Sequence, residues 1–140
     1  MEIIPAACLA IATIVGEAGA EPYAGKLAVA KVIRNRMAQK FFSDGSVAGT
    51  VLRPLQFSLW NTSTPARSKV CQISSDETVA VESARAWDES EHSWPASFGD
   101  EEAASRILLY HADYLKPKPD WAKIAHFVTK INRHLFYENR

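Results

Sequence analysis

Glu17 and Glu21 stand four residues apart in the string GEAGAEPYAGKLAVAKVIRNRM, the part of the chain whose residue types and spacing most suggest chemistry. Glu17 closes an uncharged apolar run that reads as a helix, so its carboxylate meets low-polarity surroundings and the negative end of the helix dipole. Both effects are expected to raise its pKa. A carboxylic acid still protonated near neutral pH can protonate the leaving oxygen as a glycosidic bond breaks. On local physics alone a solvated Glu at a helix end is the commoner case. Glu21 could divide acid and base roles with Glu17. Its place just before Pro22 equally suits a structural or supporting role near the positive end of the next helix.

Other residues could line a sugar cleft. Phe57, Trp60, Tyr110 and Tyr137 offer flat apolar faces that stack on pyranose rings, although aromatic side chains are also the mainstay of cores. Gln56 and Ser58, a polar pair around Phe57, need hydrogen-bond partners and suit a cleft wall. His92, His111, His126 and His134 show no HExxH or comparable ligand spacing, so no metal and no cofactor is expected. His111 and His134 read as makers of internal hydrogen bonds. The acidic run Asp88, Glu89 and Glu91 could hold a second catalytic carboxylate but reads first as a solvated cluster.

The elements that must position these residues follow from period and punctuation. Pro5 to about Val15 carries no charge and predicts a helix buried on most sides, with Pro5 in its first turn. Gly16, Gly19 and Pro22 make the segment from Gly16 to Glu21 a turn. A second helix then runs to about Lys40, with Val29, Ala30, Ile33 and Met37 as its apolar stripe and Lys31, Arg34 and Asn35 on the other side. Asp44, Gly45, Gly49 and Pro54 mark loop, and the stretch from Asn61 to Ser75, rich in Ser, Thr and Pro, reads as a long surface loop. Ser74 and Glu77 have capping-box spacing ahead of a third helix on which Val79, Ala80, Ser83, Ala84 and Trp87 share a face. Asp88 to Glu102 reads mostly as loop. Ile107 to His111 and Phe127 to Tyr137 have strand character, which predicts a small C-terminal β-hairpin or sheet. The fold class expected is α+β, predominantly helical, in one domain spanning residues 1–140.

The 140 residues suffice for one core, and 47% hydrophobic with 23% charged residues is ordinary globular composition. Sixteen basic residues balance sixteen acidic ones, which argues against a nucleic-acid partner. Cys8 and Cys71 share no metal-ligand spacing and read as two free thiols, with a disulfide the alternative. The apolar start lacks a positive n-region and is short for a membrane span, so neither a signal peptide nor stable membrane insertion is expected.

The string around Glu17, then Gln56, Phe57, Ser58 and Trp60, then Tyr110, His111 and Ala112, and finally Asn132 to Tyr137 together resemble the cell-wall hydrolase family that includes spore-cortex-lytic enzymes. The resemblance spans nearly the whole chain. It implies a compact lysozyme-like fold acting on the glycan strands of peptidoglycan, with Glu17 as the catalytic acid and His111 as a substrate contact. The family pattern has Arg where this chain has Gly19, and a Thr-His pair where it has Leu108 and Leu109. The chain is thereby expected to be a monomeric, endolysin-like enzyme acting at the bacterial cell wall. It would be made in the cytoplasm and released by a holin-type or other route, unless the chain has been shortened. With no second carboxylate placed, Glu17 can draw a proton from the sugar's own C6 hydroxyl, giving lytic transglycosylation. A hydrolytic muramidase using Glu21 is the near alternative. Rivals of other classes are a non-catalytic wall-binding or virion structural module and a zinc amidase.

Overall fold

The computed structural model describes residues 6–53, 57, 81–97 and 107–139, with side chains left aside at 81–87. Helix α1, Ala6–Ala18, buries Leu9, Ala10, Ala12, Thr13, Ile14 and Ala18. It packs against α2 (Tyr23–Gln39), α3 (Val47–Val51) and α4 (Val81–Ala96), the central position its uncharged sequence requires. The helix does not stop at Gly16 as the glycines suggest. Its ladder continues until Gly19 N–H donates to Val15 O at 2.9 Å, because one glycine weakens a helix without ending it. Glu17 therefore lies in the last helical turn.

Helix α2 ends at Lys40, whose left-handed backbone (φ 51°) turns its N–H back to Met37 O. Asn35, expected on a solvated side, is buried, as are Lys26 and Arg36. Each reaches a partner that the linear pattern does not contain. Asn35 Nδ2 donates to Ile107 O at 2.9 Å and Arg36 Nε to Leu108 O at 2.7 Å. Lys26 Nζ donates to Glu21 O and pairs with Glu89 at 3.1 Å.

Two segments read as loop are helical. In α3, Asp44 accepts from Ser46 N–H, and the Ser46 hydroxyl then accepts from Gly49 N–H at 2.9 Å, an N-cap that nucleates the turn. A Cβ at Gly49 would sit 2.0 Å from Asp44 Oδ1, so a larger residue there would push the exposed Asp44 carboxylate aside. Helix α4 continues through the acidic run to Ala96. Along its described side chains Ser90 and Ser93 are 0% exposed, as is Ser97 just past its end, and Trp94 packs against the core. A hydrophobic period does not pick out buried serines such as Ser90 and Ser93. The capping pair Ser74 and Glu77, and the loop from Asn61 to Ser75, lie outside the described residues.

The C-terminal strands form one antiparallel sheet in the order β1-β3-β2, with β1 Leu109–Ala112, β2 His126–Ile131 and β3 His134–Glu138. The expected hairpin is β2–β3, and β1 joins its other side with Tyr110 opposite Phe136. Phe136 enters the main core with Phe57, Ile14 and Ile33, while Tyr137 joins Leu108, Leu109 and Ala122 in a second cluster. Cys8 is disulfide-bonded, which corrects its reading as a free thiol; Cys71 lies outside the described residues. Among the described residues no helix is long and apolar enough to cross a membrane.

Candidate active site

A cleft of about 830 Å³ opens between the end of α1, the end of α2 and the sheet. Glu17 reaches it from the last turn of α1. Tyr110, on β1, donates its hydroxyl to Glu17 Oε2 at 2.9 Å, across 93 residues of sequence. The phenol ring packs against both His134 and Phe136 of β3, with centroids at 5.1 and 5.6 Å. Burial first, then the charge of Glu17, pushes the Tyr110 hydroxyl well above its ordinary range, so it stays a proton-bearing donor.

Arg36 also lines the cleft. Its guanidinium lies 5.1 Å over the Phe57 ring. Burial lowers its pKa, and the nearby Tyr110 and Glu17 oppose that shift. Arg36 thus supplies a fixed positive charge behind Glu17.

Glu21 has a different setting. It is 7% exposed, and its carboxylate accepts from Asn132 Nδ2 and from Arg133 N–H at 3.0 Å, the residues that turn β2 into β3. Asn132 takes a left-handed backbone there (φ 48°), which Asn tolerates better than most residues. His134 Nδ1 lies 3.5 Å from Glu21 Oε1. Burial holds the His134 pKa below its ordinary value, against the pull of Glu21 and Glu17.

Of the residues singled out in the sequence, Glu17, Tyr110 and His111 come together at the cleft. Tyr137 stands one layer behind: its hydroxyl pairs with His111 Nε2 at 2.9 Å while His111 Nδ1–H donates to Ala112 O. Phe57 is 1% exposed and lies in the main core rather than on the cleft wall. Gln56, Ser58 and Trp60 lie outside the described residues. Glu89 is paired with Lys26, and Asp88 and Glu91 are exposed; none of the three lines the cleft. Among the described residues no group of His, Cys, Asp and Glu is arranged to hold a metal. Sequence reasoning passed over Arg36, Phe42, Tyr114 and Trp121 as cleft residues. Arg36 carried a signal, since it lies in the same motif as Glu17.

The sequence profile of the cell wall hydrolase family matches residues 20–137. The chain belongs to the cell wall hydrolase family. The matched span takes in Glu21, Arg36, Tyr110 and His134 and begins just after Glu17. Two solved structures share the fold. The catalytic domain of the germination-specific lytic transglycosylase SleB from Bacillus anthracis is 20% identical, with TM-score 0.62, over 95% of this chain and 93% of that one. The catalytic domain of the Bacillus cereus SleB protein is 22% identical, with TM-score 0.59, over 95% and 89%. No curated protein gives a match. This cell wall hydrolase thus has the α+β, predominantly helical, lysozyme-like fold expected of it.

Proposed function

We propose that the chain degrades peptidoglycan by cleaving the β-1,4 bond between MurNAc and GlcNAc, with Glu17 as general acid and the sugar's own C6 hydroxyl as nucleophile. One observation carries this reading. Among the described residues that line the cleft, Glu17 is the only carboxylate, and it is oriented by Tyr110. Glu21 is turned into the hairpin and engaged by Asn132 and Arg133. Most glycoside hydrolases use a second carboxylate as nucleophile or water-activating base.

In the reaction Glu17 gives its proton to the bridging oxygen as the bond to the MurNAc C1 breaks. Positive charge develops at C1, and the C6 hydroxyl of the same sugar closes on it. The hydroxyl proton returns to Glu17, so the acid is regenerated and no water is consumed. Tyr110 holds the carboxyl group in place through both transfers. Arg36 stabilises the carboxylate that exists between them.

The name of the Bacillus anthracis domain, a lytic transglycosylase, agrees with this chemistry. The test is mass analysis of muropeptides released from purified peptidoglycan. The expected products end in 1,6-anhydro-MurNAc. Reducing MurNAc ends alone would make water the nucleophile and would remove the transglycosylase reading.

A further inference from the structure

Large apolar side chains are exposed at the mouth of the cleft. Phe42 is 44% exposed, Tyr114 73% and Leu115 45%, and all three belong to its lining. Phe42 comes from the segment after α2 and Tyr114 from the turn after β1, so two separate parts of the fold bring aromatic rings to one opening.

Phe42 is the more telling residue. Its backbone is left-handed, with φ 47°. A bulky side chain is rare in that region because its Cβ crowds the following carbonyl. Lys40 has the same conformation for a plain reason, since it ends α2 and bonds back to the helix carbonyls. Phe42 ends no helix, and glycine would hold its backbone at lower cost. Its ring is not buried in return. Phe41 packs edge-on against it at 4.6 Å, and the Arg53 guanidinium lies 5.4 Å from its centroid. Those contacts orient the ring without covering it. Strain kept at an exposed residue beside a catalytic cleft points to a ligand contact.

We infer that Phe42 and Tyr114 form an aromatic lip that binds pyranose rings of the glycan strand and feeds the strand toward Glu17. The inference rests on the glycan substrate of the proposed function. Flat rings match the apolar C–H faces of a sugar, and the neutral chain has no net charge with which to gather an ionic ligand. Leu115 extends the same apolar surface.

The test is binding of soluble glycan strands, stripped of stem peptides, to a Glu17→Gln protein, paired with KM on intact peptidoglycan in the otherwise unaltered chain. Phe42→Gly removes the ring and the strain together. It should weaken Kd and raise KM about two- to tenfold, while Tm rises by roughly 2–6 °C. Tyr114→Ala should weaken binding by the same factor with Tm unchanged. Ile124→Ala is the control, an 80% exposed residue away from the cleft, and should change neither. Unchanged Kd in both Phe42→Gly and Tyr114→Ala overturns the lip, as does a fall in Tm for Phe42→Gly without loss of affinity. Glycan binding by the unaltered protein without bond cleavage would sink the proposed reaction and leave the lip standing.

Discussion

Glu17 and Glu21 lie one helical turn apart in sequence, yet the protein treats them in opposite ways. Around Glu21 the chain closes: backbone and side-chain donors from the β2–β3 turn meet the carboxylate, and the residue is buried. Around Glu17 the chain opens onto a cleft and supplies an orienting hydroxyl from Tyr110. A carboxylate whose acceptor sites are taken up by folded donors holds structure together. One that lines a cleft and is oriented by a neighbouring hydroxyl can exchange a proton with a substrate. Identical residue type therefore carries little information until the partners are known.

The sharpest way to break this contrast is to neutralise each carboxylate in turn. Glu17→Gln should lower turbidity clearance of purified peptidoglycan by about a hundred- to ten-thousand-fold with little change in Tm. Normal lysis by a folded Glu17→Gln protein would end the catalytic assignment. Glu21→Ala should instead cost about 1–3 kcal/mol of stability in denaturant unfolding, because it leaves the hairpin turn without its acceptor. Activity per folded molecule should fall far less than for Glu17→Gln, and the reverse ranking would move the catalytic role to Glu21.

Smaller effects refine the same comparison. Tyr110→Phe removes the hydroxyl that orients Glu17 and should cut kcat by about tenfold, the worth of one hydrogen bond. A drop in Tm with unchanged kcat would make Tyr110 a packing residue only. The least effect expected is in pH dependence. His134 faces Glu21, Glu17, Asp113 and His111, and burial keeps its folded pKa below the ordinary 6.5. The unfolded chain then takes up a proton first as pH falls, so this stabilising contribution is complete above about pH 6.5 and is lost below it. Melting curves of the native protein and His134→Asn between pH 5 and 8 should differ in slope on the acid side. Parallel curves would show that His134 does not titrate between the two states.

Much of the fold was legible because it rests on local signals. The uncharged run before Glu17 predicts a buried helix whatever surrounds it, and the period-2 pattern ending at Tyr137 predicts strand. Helix α3 and the continuation of α4 through the acidic run were not legible. One depends on the cap that Ser46 makes to Gly49 N–H, and the other on Ser90 and Ser93, which become interior only when neighbouring helices approach.

The sequence alone determined that an acidic residue would stand at the end of an apolar helix, and that a hairpin would follow late in the chain. Helix propensity and turn chemistry act between neighbours, so they are written in order along the chain. Tertiary structure alone decided which carboxylate faces the cleft. The contact between Tyr110 and Glu17 spans 93 residues, and that between Asn132 and Glu21 spans 111. Such contacts depend on how α1, α2 and the sheet pack together. The same packing buries Arg36 and brings Phe42 and Tyr114 to one opening, because only the assembled core places those distant segments side by side.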